Sequence, residues 1–198
     1  MAQIIYFSHV KERLAKSMSV LNHARAAFNR PDPEGKATKE LNKYDLMHDY
    51  PINPLIITKG EGVKVIEHNF NGNDISGIIS KQDDNVTIYI NRNEPPARQK
   101  FTIAHELGHL FLHMTDEDGN FLDNSVSLYR TNNSTMPLPA EVANREAEAN
   151  RFAAALLMPK DAIEFEWLFA DSVEEMAKTF EVSEIAMKIR LKSLGIIK

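Results

Sequence analysis

Residues 101–113 read Phe-Thr-Ile-Ala-His-Glu-Leu-Gly-His-Leu-Phe-Leu-His. Inside this stretch lies His105-Glu106-Leu107-Gly108-His109, an H-E-x-x-H motif. Residues four apart on an α-helix share a face, so His105 and His109 can reach one metal ion together. Glu106 is rotated about 100° from His105. It can stand beside the metal and hydrogen-bond a water held there. Two imidazoles and a neighbouring carboxylate are what a zinc hydrolase needs. The pattern arises by chance in roughly 1% of chains this long, so its surroundings decide its meaning. Phe101, Ile103, Ala104, Leu107, Leu110, Phe111 and Leu112 make the helix apolar on most sides. Such a helix is buried. Buried imidazoles and a buried carboxylate need partners, and a metal supplies them. An exposed helix face carrying two histidines would leave the apolar surroundings unexplained.

The chain has no cysteine, so Zn2+ must be held by His, Asp or Glu, and no disulfide framework exists. Its 23 basic residues against 28 acidic ones give a net charge of −5. That provides no bulk attraction to nucleic acid or to anionic membranes, so nucleic acid is not an expected partner. No run approaches the ~18 apolar residues of a membrane span. The first residues lack the order of charge and apolar run that marks a signal peptide. These features lead us to expect a soluble cytoplasmic protein.

A catalytic zinc takes three protein ligands and keeps one open position. His113 lies close in sequence, but the helix rises about 12 Å between His105 and His113. One ion with bonds near 2 Å cannot bridge that distance. The pattern in which a glycine turn brings a third histidine back is also absent. A carboxylate from another element is required, and a helix expected over 140–158 offers Glu141, Glu146 and Glu148. Glu146 shares a face with Ala149, Asn150, Ala153, Leu156 and Leu157, a small-residue and apolar surface. Glu148 shares one with Arg151, Phe152 and Ala155. The facial argument favours Glu146 as the third ligand, with Glu148 as the alternative. Asn150, one turn on, is placed to accept the second ring N–H of a ligand histidine.

The rest of the chain supplies the frame. Val10, Leu14, Met18, Leu21 and Phe28 predict a helix over 9–29, and a shorter one is expected over 36–48. Asn53 and Pro54 predict a helix start within 51–62. Three β-branched-rich runs follow, Val63–Phe70, Asp74–Ser80 and Val86–Asn91, separated by turn residues. They predict a small three-stranded, mainly antiparallel sheet next to the motif helix, itself expected over 97–113. The alternating run Val86–Asn91 is a candidate edge for pairing with a substrate backbone. Residues 115–139 lack periodicity and form a long loop suited to a lid or substrate-binding role. Ser172 and Glu175 predict a capped helix, and another runs over 184–194 to Gly195. The cadence of 172–198 is similar to a helix-turn-helix. Lys188, Arg190, Lys192 and Lys198 are a weak signal for DNA, and packing against the rest of the chain is the simpler reading.

Taken together, the stretch from Ile-Tyr-Ile-Asn through His-Glu-Leu-Gly-His-Leu-Phe-Leu-His, with Glu-Ala-Glu-Ala-Asn-Arg-Phe-Ala-Ala-Ala-Leu-Leu-Met-Pro after it, resembles the ImmA/IrrE family of zinc metallopeptidases. The resemblance covers about residues 51–198. It implies an α+β, mainly helical, zincin-like fold with a thermolysin-type (gluzincin) site. His105, His109 and Glu146 fall at the metal-ligand positions and Glu106 at the general-base position. Where thermolysin-like enzymes often carry an acidic residue four after the ligand glutamate, this chain has Asn150. The implied domain plan is an N-terminal helical extension over 1–50, a metallopeptidase domain over 51–160 and a helical segment over 161–198. The implied partner is a protein substrate, a helix-turn-helix repressor or an antitoxin-like protein. The oxyanion-stabilising group would come from His113, Tyr129, Arg130 or Arg145, and oligomeric state is not indicated.

Overall fold

The many apolar sides of the motif helix find their partners in the computed structural model, which describes residues 31–70, 75–82, 84–114 and 139–198. The described elements are α1 (Pro33–Lys43), α2 (Pro54–Gly60), β1 (Lys64–His68), β2 (Gly77–Gln82), β3 (Asn85–Asn91), α3 (Pro96–His113), α4 (Ala140–Leu157), α5 (Lys160–Trp167), α6 (Val173–Thr179) and α7 (Glu184–Ser193). The class is α+β, mainly helical around one small sheet. The helix expected over 9–29 lies outside the described residues, as do positions 115–138 of the expected loop. Pro33–Lys198 forms one compact unit.

Local chemistry sets the element ends. Asn53 accepts the Leu55 N–H and Pro54 occupies the first turn of α2. Helix α1 stops at Lys43 rather than running to 48, because Asp45 turns into the left-handed region at φ 56°. Ser172 accepts the Glu175 N–H, while the Glu175 carboxylate reaches the N–H of Asp171 instead of that of Ser172. Ser183 caps α7, and Gly195 at φ +73° follows its end.

The sheet has the order β1-β3-β2. β2 and β3 are antiparallel, with Ile79 opposite Ile88. β1 and β3 are parallel, with Val65 opposite Ile88. The sheet is therefore mixed, where a mainly antiparallel one was expected. β3 lies between β1 and β2, which run in opposite directions. This corrects the expectation for Val86–Asn91. The run is the central strand, hydrogen-bonded along both sides, and cannot be an edge for a substrate. Alternation of apolar residues reports that one face is buried; it does not distinguish an edge from a centre.

Ile79, Ile88 and Ile90 are buried, and β2 and β3 pack against α3. Thr102 through His109 are all buried, eight consecutive residues, as expected for a helix enclosed on every side. Helix α4 takes another side of α3 at unusually close range. A Cβ added to Gly108 would lie 3.0 Å from Ala149 Cα and 3.1 Å from its carbonyl oxygen. Helix α1 covers α4.

The C-terminal helices join the same core through Met176, Phe180, Met187 and Leu191. Arg190 is 3% exposed and donates to the Met158 carbonyl and to both Glu34 carboxylate oxygens. One of the four basic residues of this segment is thus internal and tied to α1. Among the described residues, no helix is long and apolar enough to cross a membrane.

Two predictions follow from this packing. Gly108→Val places branched carbons where Ala149 already stands and should lower stability by about 2 kcal/mol, the usual scale for overpacking, read as a drop in thermal midpoint. The second concerns Tyr50, which stacks on Phe180 at 4.8 Å and donates its hydroxyl to Glu166. That hydrogen bond, with burial, pushes the phenol up to about 12. The folded state therefore keeps a proton that the unfolded state loses near pH 10. The contribution is complete below pH 10 and vanishes as pH rises towards 12. The stability gap between wild type and Tyr50→Phe in urea titrations should accordingly narrow across that window.

Candidate metal centre

Helix geometry puts His105 and His109 on one face of α3, and the Gly108–Ala149 contact brings α4 close enough to face them. Their Nε2 atoms stand 2.8 Å apart. Glu146, from α4, places Oε2 3.5 Å from His105 Nε2 and Oε1 3.3 Å from His109 Nε2. One donor atom from each of the three residues lies within 4.8 Å of the others. Two ligands of a tetrahedral zinc, with bonds of about 2.0–2.1 Å, stand about 3.3 Å apart. The Glu146 distances match that figure, and the two imidazoles need to open by about half an ångström.

The imidazole of His105 is fully buried, and its Nδ1 lies 3.1 Å from Asn150 Oδ1. With a metal bound, donation from Nδ1–H to Asn150 would turn the Nε2 lone pair to the ion, in place of the Nε2 contact with Glu146. Burial pushes the His105 imidazole down to about 4, outweighing the hydrogen bond to Glu146, which acts the other way. The ring is therefore neutral at physiological pH, the form that binds a metal. For Glu146, burial alone would raise the carboxyl. Hydrogen bonds from His105 and His109 prevail and hold it well below the usual carboxylate range.

Glu106 is fully buried, and neither carboxylate oxygen has a hydrogen-bond partner. Burial, reinforced by the nearby negative charge of Glu146, drives its carboxyl well above the ordinary range, and the Ile79 backbone N–H only weakly opposes this. The Ile79 backbone N–H approaches without forming a well-made hydrogen bond, and a buried carboxyl so poorly partnered is costly. It stands beside β2. A Cβ on Gly77 would fall 2.3 Å from the Thr102 side chain and 3.3 Å from Glu106 Oε1. The residues present thus fit a metal with a water beside it: two imidazole nitrogens, one carboxylate, and a poorly partnered carboxyl next to them.

The structure separates the two candidate glutamates by direction, not by depth. The Glu148 side chain is 8% exposed, whereas that of Glu146 is 23% exposed. Glu148 lies 3.7 Å from His113 Nε2, away from the His105–His109 pair. Burial alone would have pointed to Glu148, the glutamate that does not converge with the two histidines. His113 itself is turned into the α3–α4 interface, with Nε2 3.2 Å from the Arg145 carbonyl. Burial pushes its imidazole down to about 4. Arg145 pairs with Glu141. Tyr129 and Arg130 lie outside the described residues.

Residues 58–192 match the family model described as the IrrE N-terminal-like domain, a peptidase family. No curated protein matches the chain. Among solved structures, a Mycobacterium tuberculosis transcriptional regulator aligns with TM-score 0.53 and 13% identity, over 79% of this chain and 46% of that one. The likeness is one of fold, and the chain spans less than half the length of that regulator. Titration of the metal-free protein with zinc should give one tightly held ion per chain. Glu146→Gln should weaken binding severely but leave a measurable residual affinity from the two histidines, and Glu141→Gln, at a side chain 79% exposed, should leave binding unchanged.

Proposed function

The chain belongs to the IrrE N-terminal-like peptidase family, and from that membership we propose that it is a zinc-dependent endopeptidase acting on a protein substrate. The observation that carries the proposal is the buried Glu106 carboxylate, both oxygens unpartnered, adjoining the convergent His105, His109 and Glu146. A purely structural metal site has no use for such a group, since a desolvated carboxylate without a partner only destabilises the fold. A hydrolase needs it.

In this reading His105, His109 and Glu146 hold Zn2+, and Asn150 orients the His105 ring through Nδ1. When bound, the zinc supplies Lewis acidity and lowers the pKa of a coordinated water towards 7. Glu106 accepts a proton from the attacking water at a carboxylate oxygen and returns it to the leaving amine nitrogen. The enclosure of α3 keeps bulk water away from the carboxylate, so proton transfer is confined to the reacting groups. For the oxyanion, His113 and Arg145 are engaged elsewhere, on the Arg145 carbonyl and on Glu141. Tyr129 and Arg130 remain the proposed donors of the set.

The substrate backbone is proposed to pair with β2. Among the described residues β2 is bonded on one side only, and Gly77 at its start adjoins Glu106. An extended peptide added there would pass the reacting centre. The substrate class proposed is a helix-turn-helix repressor or an antitoxin-like protein in the cytoplasm. Its support is the ImmA/IrrE resemblance. A DNA-binding role for α6 and α7 is the weaker reading, because Arg190 is buried against Glu34 and cannot reach a phosphate. Glu106→Gln should keep zinc affinity and lose about 10²–10⁴-fold in cleavage rate, the usual worth of a general base. Mass spectrometry of a repressor from the same locus, incubated with each protein, checks this. A fully active Glu106→Gln variant would end the reading.

A further inference from the structure

Glu146 sits in a part of α4 with little to anchor it. Residues 140–144 are all exposed, and Pro139 provides no side-chain cap. The first deeply buried residues of the helix are Glu148 and Ala149. The position of Glu146 relative to His105 and His109 therefore depends on whatever ties down the turn that carries it. One such tie comes from His113, one helical turn beyond His109, whose ring reaches the backbone of that turn. Its side chain is 9% exposed, and its Nε2 lies 3.2 Å from the carbonyl of Arg145, the residue immediately before Glu146. A helical carbonyl has two lone pairs and can accept this bond in addition to its own ladder bond. The Glu148 carboxylate, 8% exposed, lies 3.7 Å from the same nitrogen.

The geometry points to His113 as a positioning residue that clamps the Arg145–Glu146 turn of α4 to α3 and so sets the third metal ligand against the two histidines. The clamp rests on the metal-site reading above, because it is defined by what it does for Glu146. It explains why a polar ring occupies a buried site at the α3–α4 interface, where a leucine would bury more apolar surface at no desolvation cost. It also assigns His113 a role that needs no contact with metal or substrate.

Zinc affinity of the purified full chain, measured by competition with a chromophoric chelator at neutral pH, tests this. His113→Phe keeps a ring but removes the donor, and His113→Gln restores an N–H of similar reach. His113→Phe should weaken zinc binding by about 10–100-fold, the range seen when groups supporting metal ligands are removed. His113→Gln should recover most of it. In a Glu146→Gln background, His113→Phe should add little further loss, since the ligand it positions is already gone. Far-UV circular dichroism and thermal midpoint monitor folding, and His113→Met replaces the Phe variant if the latter does not fold. Wild-type affinity in His113→Phe, or an equal loss in both backgrounds, would overturn the clamp while leaving the metal site standing. A wild-type chain that binds no zinc would overturn the metal site itself, and the clamp with it.

Discussion

The distance between α3 and α4 is set where Gly108 meets Ala149. A side chain on residue 108 would meet the backbone of the facing helix at 3.0–3.1 Å, so the two helices approach as closely as backbone contact allows. Everything at the site follows from that approach. It carries Glu146 to 3.3–3.5 Å from the imidazoles of His105 and His109. It lets His113 reach a carbonyl of α4, and Asn150 reach the second nitrogen of His105. Because Gly108 is one of the two unspecified positions of H-E-x-x-H, the motif here contains its own packing requirement as well as its donor atoms.

Around this contact the chain encloses an unusual amount of polarity. His105, Glu106, His109 and Glu148 are buried alongside Leu107, Phe152 and Ala153. Burying charge costs several kcal/mol per group unless it is compensated, about 1–3 even for neutral polar groups. The described surroundings compensate part of this: burial keeps the His105 imidazole neutral, and Glu146 is stabilised by its two histidine neighbours. Glu106 is left without a partner. A fold that retains such a group carries strain that a bound cation and its water would relieve.

Much of this was legible in the sequence, for identifiable reasons. The apolar residues from Phe101 to Leu112 predict a fully enclosed helix, and Thr102–His109 are enclosed. Asn53-Pro54, Ser172 and Gly195 mark helix ends by chemistry local to a few residues, and those ends stand where expected to within about three residues. The preference for Glu146 over Glu148 came from helix periodicity, and the structure turns Glu146 towards the two histidines. Burial of Glu148, by contrast, was not legible, because the side of α4 that packs is wider than one face. Sheet order also escaped. Whether β3 lies at the edge depends on where β1 is laid, a long-range choice with no signature in the alternation of Val86–Asn91. The α1 boundary moved because the left-handed turn at Asp45 has no glycine to announce it.

The central claim is that α3 and α4 face each other across one metal ion held by two histidines and one glutamate. X-ray absorption at the zinc edge, on the full chain loaded with one equivalent of zinc, addresses it directly. The account predicts a shell of four or five nitrogen and oxygen atoms at about 2.0–2.2 Å, with the outer-shell scattering of two imidazoles. A shell of six oxygens, or scattering from one imidazole or none, would contradict it.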